Sequence, residues 1–123
     1  MNLSEVAAQV ADDLRSVDLK VSDYVPAKVV PPLVIIGTGD PYVEQGGTFG
    51  NDFVVHLELF IVTGTAINSV ATTALNNMIQ KVIYNLGDWE IESVSAPYMA
   101  TANDAQYLTS RVAIKNTITI GEI

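Results

Sequence analysis

The spacing of apolar residues near the start of the chain predicts an amphipathic helix. Residues three, four and seven apart share one face of a helix, and here that face is apolar. Asn2 is placed to cap this helix, and Glu5 follows three residues later, as in a capping box. The apolar positions are Leu3, Val6, Ala7, Val10 and Leu14.

A second helix is predicted from Ser69 to Leu86, with Gly87 well placed for the left-handed position that ends a helix. Its opposite face carries a single charge, Lys81, whereas exposed helix faces are usually rich in charge. We therefore expect neighbours to shield part of that face. The apolar stripe consists of Ala71, Ala74, Leu75, Met78, Ile79, Val82 and Leu86.

The clearest strand runs from Phe53 to Thr63, because every odd-numbered position from Phe53 to Ile61 is apolar. The even positions mix polar residues with Val54, Phe60 and Val62. That second face is too apolar for open water. A helix or a neighbouring subunit is expected to cover it.

Residues 19 to 37 are predicted to be extended, since three prolines in this stretch cannot donate helical hydrogen bonds. Leu33–Ile36 is a continuous apolar run, typical of a strand buried on both faces. Val29 and Val30 are interpreted as an edge strand or the approach to one.

The remaining segments are predicted as two loops and two strands. The loops are glycine-rich Thr38–Asn51 and Ala96–Ala105. Trp89–Ser95 is predicted as a strand with a bulge or an early end, and Tyr107–Ile120 as the final strand. The last two strands could form a hairpin. The order of elements predicts an α+β fold: a mixed, mostly antiparallel sheet with two helices packed on it, in a single domain spanning residues 1–123.

Composition narrows the classes of protein that fit this pattern. The chain has 123 residues, 49% of them hydrophobic and only 16% charged, against about 25% charged in a typical domain. Intrinsic disorder is excluded, and either the core is large or partners cover part of the surface. The net charge of −8 disfavours specific nucleic-acid binding. There is no cysteine, and no apolar run approaches the length of a membrane span, so we expect no membrane association.

No catalytic, cofactor-binding or metal site is predicted, and we expect no enzymatic activity. Gly37 and Gly39 begin a dinucleotide-binding pattern, but Tyr42 stands where its third glycine belongs. His56 is the sole histidine, and Glu58 and Asp52 on its strand face are not enough to make a metal site. A partly buried, hydrogen-bonded histidine is the favoured interpretation.

Four stretches carry a resemblance to a known family: Val21–Pro26, Val29–Ile36, Asp40–Tyr42 and Thr48–Gly50. Together with the order of elements from about residue 3 to 120, they resemble the tail terminator proteins, or minor tail proteins, of long-tailed bacteriophages. Members share a tyrosine–proline segment, a Pro-Pro step into an apolar strand, a Pro-Tyr loop and one middle helix.

The resemblance implies a single tail-terminator-like domain that forms a ring, typically a homohexamer. Such a ring would cap the tail tube and join it to the head connector. Its partners would be copies of itself, the tail tube protein and a head-completion or neck protein, while DNA passes through the lumen without specific binding. It implies a virion component at the head-proximal end of the tail, made in the host cytoplasm, without a cofactor.

Within this resemblance the loop after the apolar strand is the expected contact region, with Tyr42 and Phe49 as anchors. A neck or head-closure protein is one alternative. A small ligand-binding module, with Thr38–Asn51 as a lid, is another. The interface candidates are Gly39, Asp40, Pro41, Tyr42, Gly46, Gly47, Thr48, Phe49, Val54, Phe60 and Val62.

Overall fold

A computed structural model describes residues 2–46, 50–65 and 68–121. It shows an α+β domain in which two helices pack on one face of a six-stranded sheet. In chain order the elements are α1 (Leu3–Arg15), β1 (Val21–Ser22), β2 (Leu33–Gln45), β3 (Asp52–Gly64), α2 (Ser69–Tyr84), β4 (Glu90–Val94), β5 (Tyr98–Ala102) and β6 (Ala105–Thr119).

The sheet is mostly antiparallel, as predicted. Its strand order is β1-β2-β3-β6-β4, and β5 also pairs with β6. Only β1 and β2 run parallel to each other. Because β3 lies at the centre and pairs with β2 and β6 along its length, these three long strands form the body of the sheet.

The main core lies between the helices and the odd-numbered face of β3, as the alternation predicts. Val55, Leu57, Leu59 and Ile61 are each at most 1% exposed. The partners of these strand residues from the helices are Val6, Val10, Leu14, Leu75 and Val82.

Both helices are capped by asparagine side chains. The Asn2 Oδ1 accepts a hydrogen bond from the Glu5 amide at 3.1 Å, which confirms the predicted cap. The Asn68 Oδ1 does the same for the Ala71 amide at 2.9 Å.

α2 ends at Tyr84 with Asn85 as its C-cap, two residues before the predicted Leu86. Gly87 has the expected left-handed conformation, with a φ of +62°, but lies in the turn after the cap rather than at the helix end. Ala74, predicted to lie in the apolar stripe, is instead exposed, since α2 rests on the sheet through a narrower stripe.

The prediction of a loop over Thr38–Asn51 was wrong for its first half, because β2 continues to Gln45. Its pairing with β3 shifts register between Thr38 and Val43, so Gly39–Tyr42 form a bulge opposite His56. Hydrogen bonding to β3 on either side of the bulge keeps a Gly- and Pro-containing segment extended, overriding its local preference for a loop. Leu33–Ile36 are all buried, as predicted.

The second predicted loop, Ala96–Ala105, was also wrong, because it contains β5. Asn103 and Asp104 both have positive φ, 52° and 63°, which two-residue hairpin turns require. The hairpin is therefore β5–β6. The expected pairing of β4 with β6 exists, with a register shift between Ile91 and Ser93 that confirms the predicted bulge.

Val29 and Val30 do not form a strand; the short edge strand is β1. Val29 is 6% exposed and packs on the sheet face opposite the helices with Leu33, Ile35 and Val62. The chain itself therefore covers part of the second β3 face. Within the described residues, no helix is both long and apolar enough to cross a membrane.

Replacing Leu75 by alanine should lower the free energy of unfolding by about 2–5 kcal/mol, because Leu75 is fully buried and its truncation leaves a cavity. The adjacent exposed residue Asn76 is the matched control, and Asn76→Ala should change stability by less than ~0.5 kcal/mol. Urea unfolding measures both. Equal losses would contradict the orientation of α2.

Candidate interaction surface

The sheet face opposite the helices, here called the open face, carries the even-numbered residues of β3. They include both polar and apolar side chains: Val54, His56, Glu58, Phe60 and Val62. The face divides into a polar half around His56 and Glu58 and an apolar half around Phe60 and Val62.

Two carboxylates bind the ring of His56 from opposite sides. The Glu44 Oε1 on β2 lies 2.6 Å from Nε2, and the Glu92 Oε1 on β4 lies 3.0 Å from Nδ1. The ring is 14% exposed, so His56 is partly buried and hydrogen-bonded, as predicted. A neutral imidazole has one N–H and ionised carboxylates only accept, so both contacts together require the doubly protonated ring.

The pKa of His56 is subject to two opposing effects. Partial burial lowers the pKa of His56. The hydrogen bonds to Glu92 and Glu44, together with the negative charges of both carboxylates, outweigh burial and raise that pKa above its ordinary value.

Two bulges bring the carboxylates to the histidine. In β2, the bulge at Gly39–Tyr42 precedes Glu44, which lies opposite Val54 on the open face. In β4, Glu92 falls at the register shift and reaches across β6 to β3, a span of two strand spacings or about 10 Å. The sequence signal for Glu92 was absent, since alternating glutamates on an edge strand are typical of a solvated face.

The approach of β2 to His56 depends on a glycine. A side-chain carbon built at Gly39 would lie 2.7 Å from the His56 Cβ and 3.3 Å from its backbone carbonyl. No larger residue fits there without moving one of the two strands.

The neighbouring charges on the open face are also paired. Arg111 on β6 donates to the Glu58 carboxylate at 2.9 Å, and Lys115 lies 3.7 Å from Glu90. Burial raises the pKa of Tyr98, beside this cluster; Arg111 lowers it and Glu58 raises it, and the net change is upward. Within residues 2–46, 50–65 and 68–121, no three His, Asp or Glu side chains are grouped so that they could hold a metal ion.

The apolar half of the open face forms a groove of about 200 Å³ beneath the segment that contains Val25 and Val29. Its floor includes Ile35, Phe60 and Val62. This volume is below the ~300–1,000 Å³ of sites that enclose drug-sized ligands. Thr38–Gln45, the first part of the lid that the ligand-binding alternative requires, is held in a strand.

The predicted interface residues are placed in several environments. In the β2 bulge, Asp40 and Pro41 are exposed, Gly39 is partly buried, and Tyr42 packs partly buried against the helix-side core. Gly46 is exposed, whereas Val54 and Phe60 on β3 are partly buried. Val62 is 5% exposed and therefore has little surface left for a partner. The remaining candidates, Gly47, Thr48 and Phe49, lie outside the described residues.

The helix side carries an exposed patch with a large apolar side chain at each end. The residues of this patch were not among the predicted interface candidates. Val70 at the start of α2 is 77% exposed and Tyr84 at its end is 86% exposed. Exposed residues between them complete one helical stripe, and α2 has no acidic residue. The α2 patch consists of Val70, Ala74, Asn77, Lys81 and Tyr84.

A second exposed apolar patch lies on the connection from β1 to β2. This connection patch consists of Tyr24, Val25 and Val30, which are 68%, 68% and 46% exposed. It borders the groove of the open face, where Val25 is a lining residue. Tyr24 and Val30 line a separate depression beside Arg15 of α1, at the β1 edge of the sheet. The α2 patch and the connection patch are therefore two different surfaces of the molecule.

Two of the outer strands, β2 and β4, are poorly suited to pair with another sheet. Within the described residues, β1 covers β2 only at Val34 and Ile35, and the uncovered part contains Pro41 and the bulge. At the other edge, β4 carries Glu90, Glu92 and its own bulge. Proline, charge and bulges oppose edge-to-edge pairing at these strands. The neighbouring outer strand β5 has a regular register and no charged residue.

A scan against models of known protein families finds no match to the chain, and a search of curated proteins finds none either.

Gly39→Ala should lower the free energy of unfolding by about 1–3 kcal/mol, because the added methyl meets the backbone and Cβ of β3 rather than a flexible side-chain tip. Gly64→Ala is the matched control, since nothing lies within 4 Å of the added carbon. That control should be neutral or stabilising by up to ~1 kcal/mol. If both variants unfold at the same urea concentration, the close approach of β2 to His56 is wrong.

Proposed function

We propose that this chain is a structural virion protein that assembles head-to-tail into a ring, caps the tail tube of a long-tailed bacteriophage and joins it to the head connector. The observation that supports the proposal is the presence of two different exposed patches with large apolar side chains, one on α2 and one on the β1–β2 connection.

The chemistry of the patches favours protein contact. Val70 and Tyr84 are more than three-quarters exposed, and a tyrosine that docks in a partner can supply much of the binding energy of an interface. In a chain with a net charge of −8, α2 carries only Lys81 as a charged residue. A second copy can therefore approach α2 with less electrostatic repulsion than the rest of the surface would impose.

The arrangement of the patches favours a ring over a two-fold dimer. A two-fold interface brings the same patch of both subunits together, whereas contact between two different patches is heterologous. Heterologous contacts repeat from one copy to the next and give a closed ring when the rotation closes. The α2 patch of one copy meeting the connection patch of the next would repeat in this way.

Three parts of the proposal rest on the sequence resemblance: the tail tube and the head-completion protein as partners, and the hexameric ring. The apolar start of β2 after Pro31-Pro32 and the middle helix α2 are in keeping with that resemblance. Pro41 and Tyr42, by contrast, lie in the β2 bulge rather than in the loop that the resemblance implies. The net charge of −8 is also suited to a passage for DNA, because an acidic wall repels phosphates and keeps the lumen from binding them.

Electron microscopy of phage particles made without this protein tests the role in the virion. We expect tails of uncontrolled length that fail to join heads. Tails of normal length on heads that leak DNA would instead identify a neck or head-closure protein. Normal, infectious particles would overturn both.

The ring contact is tested by Tyr84→Glu, which places a charge on the α2 patch without disturbing the core, because Tyr84 is 86% exposed. We expect self-association on tail tubes to weaken by at least about tenfold, or ~1.4 kcal/mol. Asn76→Glu adds the same charge to an exposed position of α2 outside the patch and should assemble normally. Quantitative negative-stain microscopy of tube ends measures ring occupancy. Equal occupancy for both variants would remove α2 from the interface.

A further inference from the structure

We propose that Glu44, His56 and Glu92 form a protonation-dependent clip, which holds the end of β2 and the outer strand β4 against the centre of the sheet and releases them when the histidine loses its proton. The three residues lie on three different strands, so the clip connects β4 to β2 and β3, two strands with which β4 does not pair.

The geometry supplies the dependence on a proton. Both ring nitrogens face a carboxylate oxygen, at 2.6 Å for Glu44 and 3.0 Å for Glu92. When the ring is neutral, one nitrogen carries a lone pair, and that lone pair faces an acceptor with no hydrogen between them. One of the two contacts must then open, which frees either the β2 end or β4.

The strands held by the clip have few other restraints. Glu44 lies just beyond the β2 bulge, where Val43–Gln45 pair with β3 alone. In β4, all five residues are exposed, and β4 pairs only with β6 across a register shift. Segments with exposed hydrogen bonds and little buried apolar area open at low free-energy cost, so one lost contact matters most here.

Other charged groups around His56 are engaged elsewhere. Lys115 on β6 lies directly opposite His56 and is paired with Glu90 of β4. Glu58, two positions along β3, is bound by Arg111 of β6. Asp40 lies in the β2 bulge opposite His56, and its side chain is exposed to solvent. Glu44 and Glu92 are thus the carboxylates bonded to the ring.

The sign of the pH effect follows from the raised pKa of His56. A histidine that binds its proton more tightly in the folded state contributes stability in full below its unfolded value, near pH 6.5, and loses it as pH rises through the folded value. The contribution of His56 to the clip is therefore greater in mildly acidic than in alkaline solution.

His56 is the only histidine, so its ring can be titrated by NMR in the whole protein without assignment ambiguity. We expect both ring nitrogens to be protonated at pH 6 and the titration midpoint to lie above 6.5. Glu44→Gln and Glu92→Gln should each lower the midpoint. Glu90→Gln is the matched control, because Glu90 lies on the same strand as Glu92 but binds Lys115, and it should shift the midpoint less than Glu92→Gln. A midpoint at or below 6.5, or equal shifts for Glu90→Gln and Glu92→Gln, would overturn the clip.

Release of the strands is measured separately by amide hydrogen exchange, with rates corrected for the intrinsic effect of pH. Protection of the β4 amides or of Val43–Gln45 should fall in the wild type as His56 deprotonates. A glutamine at position 92 can accept from the protonated ring and donate to the neutral one, so in Glu92→Gln the β4 protection should not change across the transition. Protection that stays constant across the wild-type titration would show that the cluster is not a clip. Neither readout depends on ring assembly.

Discussion

The pairing of β3 with β2 on one side and β6 on the other is the constraint on which the rest of the structure depends. Because side chains alternate between faces of a strand, this register determines that Leu57 and Leu59 face the helices and that His56 and Glu58 face away from them. A shift by one residue would bury the charged side chains beneath α1 and α2. The composition of the two sheet faces, and therefore of the candidate interaction surfaces, follows from this register.

Bulges then adjust the strands around this centre. The four-residue bulge in β2 moves Glu44 onto the open face, and Gly39 allows the bulge to approach His56 closely. The shift in β4 does the same for Glu92. The same bulges also make β2 and β4 poor templates for pairing with another sheet. Each bulge therefore serves both the polar cluster and the protection of its own edge.

Much of the fold was predictable where the pattern was local. The helices followed from apolar spacing, and the eleven positions from Phe53 to Thr63 revealed both faces of β3. The partly buried, hydrogen-bonded state of His56 was also predictable, since a lone histidine on a mixed strand face needs partners. Its actual partners were not, because Glu44 and Glu92 are distant in sequence and meet through register shifts that local patterns do not encode. The exposed Val70 and Tyr84 could have been found from the nearly uncharged α2 face.

The two missed strand segments show the same division. Thr38–Gln45 contains glycines and Pro41, which favour a loop locally, yet hydrogen bonds to β3 hold it in the sheet. Tyr98–Ala102 is flanked by Pro97 and Asn103, which also favour a loop, yet hydrogen bonds to β6 hold it in the sheet. Because hydrophobic periodicity is a local property, the amino-acid pattern was enough to identify most of the core, although Ala74 proved to be exposed. Which strands lie side by side and which charges meet is visible only in the folded chain, because those contacts depend on the free energy of whole strands brought together from distant parts of the chain.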